Sequence, residues 1–141
     1  MILFSSALEL IENKTNMNNL IIDAATDKIF FKIIINNKSY TSDYLNSREN
    51  FDKFSVLLFS FLEKSNVIIK DIDNVFINQG PGKFSGIRIS IASVKALKLT
   101  NNFDLYGFNS KDVIENNYEN IIELFKKGAL IKNLIKPQYL S

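Results

Sequence analysis

The sequence predicts an α/β fold, a single mixed sheet of five strands with helices packed on it. Three observations carry this. A continuous β-branched apolar run, "LIIDAAT", ends in small and polar residues, as a strand covered on both faces does. Apolar residues then recur at three- and four-residue spacing from Arg48 to Lys64. Finally, a short apolar run leads through a glycine-rich turn, "NQGPGKFSG", straight into a second helical pattern.

Taken in order, Leu20–Thr26 is the first, central strand. Lys28–Asn36 follows after almost no loop, so the two form an antiparallel hairpin around Asp27. Asn36–Tyr44 begins with a turn signal and then alternates, giving a third strand at the sheet edge. In Arg48–Lys64 the stripe is Phe51, Phe54, Leu57, Leu58, Phe61 and Leu62, with Ser47 as N-cap. Asp73–Gln79 is the fourth strand, Ser85–Thr100 the second helix and Phe103–Ser110 the fifth strand. Two short helical patterns, Lys111–Tyr118 and Glu119–Lys127, precede a tail ending "KPQYLS". Late strands separated by helices run parallel to the first. This is the order of a ribonuclease-H-like or actin-like (ASKHA) lobe, with a short helical C-terminal extension.

At 141 residues there is room for one lobe and its core. The expected organisation is an actin-like lobe over 17–110 and a short helical segment with its tail over 111–141. Met17 stands directly before the first strand, so translation is expected to begin there, leaving 1–16 as an untranslated extension. No stretch reaches the ~20 apolar residues that span a bilayer, and "MILFSSALEL" lacks the basic start of a signal peptide. A cytoplasmic protein without membrane contact is the simplest expectation.

Composition removes whole classes of chemistry. There is no Cys and no His, so thiol nucleophiles, disulfides, Ser-His triads and the common zinc sites are excluded. The net charge is +2, and Lys126, Lys127, Lys132 and Lys136 make only a thin basic tail. Contact with RNA is therefore expected to be indirect at most.

The turn Gly80, Pro81, Gly82, Phe84, Ser85, Gly86, Arg88 invites a phosphate, because a helix N-terminus offers free N–H groups and partial positive charge. Its spacing fits neither a P-loop nor a dinucleotide fingerprint. The alternative weighs more: Gly80 and Gly82 supply unusual backbone angles beside Pro81, and Gly86 lets the helix start close to the sheet. A second nucleotide candidate is Asp23 with Thr26, which would work with ATP and magnesium. Ala24 and Ala25 stand where a phosphate-hugging glycine would be wanted, so a vestigial site with no cofactor and no metal is expected.

On the first helix, Val56 and Phe59 fall opposite the main stripe and lie three residues apart. On the second, Ile87, Ile91 and Val94 make one apolar side, Ala92, Ala96 and Leu99 another, and Ser90, Ser93 and Leu97 a third. A helix that is apolar nearly all round is covered nearly all round. Either loops and the C-terminal helices cover the surplus, or the two helices together present it to another protein. The second alternative assigns a partner interface to Val56, Phe59, Ser60, Ser90, Ser93 and Leu97.

"LIIDAAT" with its hairpin, "SREN" and above all "GPGKFSGIRISIASVKALKL" resemble the TsaB (YeaZ) family. Gly80, Pro81, Gly82, Phe84, Gly86, Arg88 and Ile89 match the family's Gly-Pro-Gly-Ser-Phe-Thr-Gly turn and following helix, with Ser85 in place of Thr. The resemblance covers roughly 18–110. It implies an actin-like protein of tRNA threonylcarbamoyladenosine biosynthesis, without catalytic residues. Such a protein pairs with the catalytic relative TsaD through its two N-terminal-lobe helices, or with itself as a homodimer, and joins TsaE in the larger complex. The metal motif of catalytic relatives, His-x-x-x-His, cannot exist here. Family members carry a second lobe, so the resemblance implies an internally shortened chain keeping the first lobe and a C-terminal tail. Two other roles stay open: a small actin-like nucleotide-binding enzyme, and a degenerate homodimer outside the pathway.

Overall fold

The computed structural model describes residues 17–138. The expected extension 1–16 and the last three residues of the tail lie outside the described residues.

Strand β1 (Asn19–Asp23) is the hub of a six-stranded sheet of order β3-β2-β1-β4-β5-β6. All five of its residues are buried, as a continuous apolar run between two covered faces requires. It pairs antiparallel with β2 (Lys28–Ile35) through the hairpin the sequence predicts. On its other side it pairs parallel with β4 (Asn74–Asn78), which in turn pairs parallel with β5 (Asp104–Phe108). The polar, alternating β3 (Lys38–Leu45) lies at the far edge against β2. Asn36 and Asn37 make the tight turn between them with positive φ, a conformation asparagine tolerates better than most residues.

Alternation along the strands divides the apolar side chains between two layers. Leu20, Ile22, Val75, Ile77 and Leu105 face the main core, built with Phe54, Leu58, Phe61 and Leu62 of one helix and Ile87, Ile91 and Val94 of another. Ile21, Phe76 and Phe108 face the other side, where Ile121 covers them with Phe125 and Tyr118 packed alongside.

The structure departs from the sequence expectation in four places. The predicted helix Arg48–Lys64 is two pieces, α1 (Arg48–Asp52) and α2 (Phe54–Lys64), broken at Lys53. Ser47 does cap the first, accepting a hydrogen bond from the Asn50 N–H at 3.3 Å. The predicted helix Lys111–Tyr118 is absent. A 3-10 turn at Ser110–Asp112 gives way to Glu115 and Asn116, both with positive φ, which no helix accommodates. A sixth strand, β6 (Ile131–Lys132), adds antiparallel to β5 and is too short for alternation to reveal. Gly82 does not have the unusual φ expected of it; Gly80 does, at +111° next to a cis bond to Pro81. The remaining helices are α3 (Phe84–Lys98) and α4 (Glu119–Lys126).

Among the described residues no helix is long and apolar enough to cross a membrane.

Candidate functional site

Two places emerge where side chains are set up for more than packing. One is the outward face of α2 and α3. The other is a crevice at the carboxyl ends of β1 and β4.

On α2 the inward stripe is Phe54, Leu58, Phe61 and Leu62, all buried. Val56 and Phe59 project opposite to it and are 67% and 42% exposed, as the sequence spacing requires. Ser60 is half-buried at the edge of this face. On α3 the outward stripe is Phe84, Arg88, Ala92, Ala96 and Leu99, and Leu99 is 87% exposed. The Arg88 guanidinium lies 5.0 Å from the centre of the Phe84 ring. Phe51, Phe84, Ser85, Arg88, Ile89 and Ala92 line a shallow groove of about 350 Å³ at the junction of α1 and α3.

The third strip read from the sequence is only partly outward. Ser93 and Leu97 are half-buried, and Leu97 packs against the core. Ser90 is fully buried, its hydroxyl donating to the Ile87 carbonyl at 3.0 Å, so its assignment to a surface interface is corrected. At about 100° per residue Ser90 falls about 60° from Ile87 and about 40° from Val94, inside the core-facing stripe. The outward residues that the interface assignment lacked are Ala92, Ala96 and Leu99, the side opposite Ile87, Ile91 and Val94.

The glycine turn serves the sheet. A Cβ at Gly82 would strike the Ala25 carbonyl, and one at Gly86 would strike the Ala24 carbonyl and the Asn46 amide. The first N–H of this helix end is already in use, Lys83 donating to the Ala25 carbonyl at 2.8 Å. Ala24 and Ala25 are thus the floor on which the turn rests. Asn46 holds the same floor from the far side, donating to the carbonyls of Ala24 and Thr26 at 2.9 and 2.6 Å.

Asp23 ends β1 and is 2% exposed. Its Oδ1 accepts from the Ala25 N–H and from Asn78 Nδ2, both at 3.0 Å. Its Oδ2 accepts from the Tyr118 hydroxyl at 2.7 Å. The parallel register places Ile22 beside Ile77, so Asn78 necessarily stands next to Asp23 at the strand ends. Asn78 also donates to Ser110 Oγ at 3.1 Å and accepts from the Gly80 N–H at 2.8 Å. Tyr118 stacks on Phe30, centroids 4.6 Å apart and planes within 13°. Burial, then the Asp23 charge and the hydrogen bond to it, push the Tyr118 phenol well above its ordinary pKa.

Asp23, Thr26, Phe30, Asn78, Ser110 and Tyr118 line a crevice of about 680 Å³, so the two expected nucleotide residues do share one site. Its lining also includes Asp27, Lys28, Asp43 and Glu115, with Lys28 paired to Asp43 at 3.8 Å and Asp27 paired to Lys83 at 3.7 Å. Asp73 lies at the opposite end of β4 from the crevice, where it accepts from the Asn18 N–H at 2.7 Å. Among the described residues no cluster of three ligating side chains could hold a metal ion. Tyr118 escaped the sequence reading because it lies 95 positions from Asp23, in a segment read as helix.

The family model for TsaD, the tRNA N6-adenosine threonylcarbamoyltransferase, matches residues 28–121 of this chain. A curated relative named tRNA threonylcarbamoyladenosine biosynthesis protein TsaB, from Buchnera aphidicola subsp. Schizaphis graminum, is 26% identical over 95 residues, 67% of this chain and 45% of that protein. The chain belongs to the TsaB/YeaZ family. A tRNA N6-adenosine threonylcarbamoyltransferase from Clostridioides difficile is 30% identical over 63 residues, 45% of this chain and 19% of that enzyme. Among solved structures, YeaZ from Pseudomonas aeruginosa superposes with a TM-score of 0.65 at 16% identity, covering 79% of this chain and 50% of that one. This TsaB/YeaZ-family chain thus spans about half the length of its TsaB and YeaZ relatives. The shared fold is the actin-like lobe expected from the element order.

Proposed function

We propose that this protein acts in tRNA threonylcarbamoyladenosine biosynthesis as a non-catalytic subunit that binds a TsaD-type transferase and activates it. The observation that carries this reading is the outward apolar pair Val56 and Phe59 on α2, continued on α3 by Ala92, Ala96 and Leu99. Small residues on α3 let a partner helix approach closely, and an aromatic and an arginine at Phe84 and Arg88 are the residue types that anchor interfaces. The names of the relatives supply the pathway, and the sequence without His or Cys supports a role outside the chemistry. A complex with TsaE, and pairing of two copies through the same face, belong to this reading as further assemblies.

The test is co-purification with the TsaD enzyme of the same organism, alongside tRNA modification in its cells. Val56→Asp with Phe59→Asp is expected to cost about 2–4 kcal/mol of binding, a loss of about 30- to 1,000-fold. The fold should be retained, because neither residue belongs to the buried stripe of α2, and circular dichroism of the double variant checks this. Failure of the unaltered protein to associate, or full tRNA modification in the double variant, would overturn the proposal.

A further inference from the structure

The segment from Ser110 to Tyr118 is fastened at its two ends and held between them by little more than Val113, packed against the second core layer, and the Asp112 carbonyl, which accepts from the Asn120 amide at 2.9 Å. At one end the Ser110 N–H donates to the Gly80 carbonyl at 3.0 Å, and its hydroxyl donates to the Pro81 carbonyl at 2.6 Å. At the other, Tyr118 reaches over the crevice to Asp23 and stacks on Phe30. Between these points the backbone hydrogen bonds are local: Asp112 to Asn109, Val113 to Ser110, and Asn117 to Ile114. Lys111 and Ile114–Asn117 are exposed, and two successive residues hold positive φ. A stretch with few buried contacts and no ladder to the sheet sits at the low end of local stability.

From this geometry we infer that Ser110–Tyr118 is a strap across the carboxyl ends of β1 and β4, latched by Tyr118 on Asp23, which opens as a unit while the sheet stays folded. Open α/β sheets bind ligands in the crevice beyond the carboxyl ends of their strands. Here the chain's own phenol fills that position and satisfies the buried carboxylate. Opening frees Asp23 Oδ2 and the Phe30 ring together, because one residue covers both. Ser110 acts as the hinge, since its bonds to the glycine turn do not involve Tyr118. The inference is independent of partner binding and is tested on the protein alone.

Amide hydrogen exchange, read by mass spectrometry on the full chain, compares wild type with Tyr118→Phe, which keeps the ring and removes the hydroxyl donor. The expected result is exchange about tenfold faster in 111–118 with β1 and β4 unchanged, the loss of one hydrogen bond to a charged group. Asp23→Asn is the second variant: its Oδ1 keeps the Ala25 N–H and Asn78 Nδ2 donors, and its Nδ2 then faces the Tyr118 oxygen and donates to it, so a neutral bond remains and its strap should exchange more slowly than that of Tyr118→Phe. Equal exchange of the strap in wild type and Tyr118→Phe would overturn the inference. So would the same acceleration in 111–118, β1 and β4, which would make Tyr118 a global staple.

Discussion

Tyr118 is a neutral phenol facing a buried carboxylate, and that pairing sets how the fold responds to base. Its folded-state pKa is raised above the unfolded value of about 10. The stability it contributes is therefore fully present below about pH 10 and declines as pH rises further, where the unfolded chain has released a proton that the folded chain retains. Tyr118→Phe does not titrate, so the stability difference between wild type and this variant should hold level up to pH 9 and narrow above 10. The narrowing is at most about 1.4 kcal/mol per pH unit, reduced by solvent screening at this partly exposed site. Urea unfolding across that range checks it, and the difference cancels the other tyrosines and the lysines. The rim charges Asp27, Lys28, Asp43 and Glu115 line the same crevice and are common to both proteins. At this scale the sequence shows which residues are special better than it shows why. Gly82 and Gly86 were recognisable as indispensable, yet the reason at Gly82 is the nearness of the Ala25 carbonyl, a contact between distant parts of the chain. Asp23 was recognisable as the end of a buried strand, whereas its partner Tyr118 carries no periodic signal.

Helices α2 and α3 were the most legible elements, because a period of 3.6 records which side meets the core. The same record fails at boundaries. Phe51 and Phe54 share a stripe, but the backbone breaks between them at Lys53, a kink that apolar spacing alone does not register. It fails again in 111–118, where Val113 and Tyr118 are anchored by tertiary contacts rather than by a helical face. Two residues of α2 make the point measurable. Phe54 is 1% exposed and packs edge-on against Phe31 at 5.6 Å, whereas Val56, two positions on, is 67% exposed. Phe54→Ala should cost about 3–5 kcal/mol, the usual range for an emptied aromatic site. Val56→Ala should stay within about 0.5 kcal/mol of wild type. Denaturant midpoints for the two variants would show whether the assigned inner and outer faces of α2 are correct.

At the scale of the whole molecule, the question is whether 17–110 is a unit to which 111–138 is merely appended. The sheet has two faces, and the helices α2 and α3 cover only one. Ile21, Phe76 and Phe108 are buried on the other by Ile121, with Tyr118 and Phe125 packed alongside, all from the C-terminal segment. Ile135, 1% exposed, enters the main core from the same segment, and the Gln138 N–H donates to the Gln79 carbonyl at 2.7 Å beside the glycine turn. The segment therefore completes both layers. Removing it would uncover two phenylalanines and an isoleucine, each worth about 1.5–3 kcal/mol when fully buried, and empty the Ile135 site besides. Against a total stability of about 5–15 kcal/mol, that loss consumes most or all of what holds the lobe together. A chain ending at Ser110 is accordingly expected to lack a cooperative thermal transition by near-ultraviolet circular dichroism, while the full chain shows one. A cooperative transition in the shortened chain, within a few degrees of the full chain, would instead mean that the first lobe closes its second face by other means.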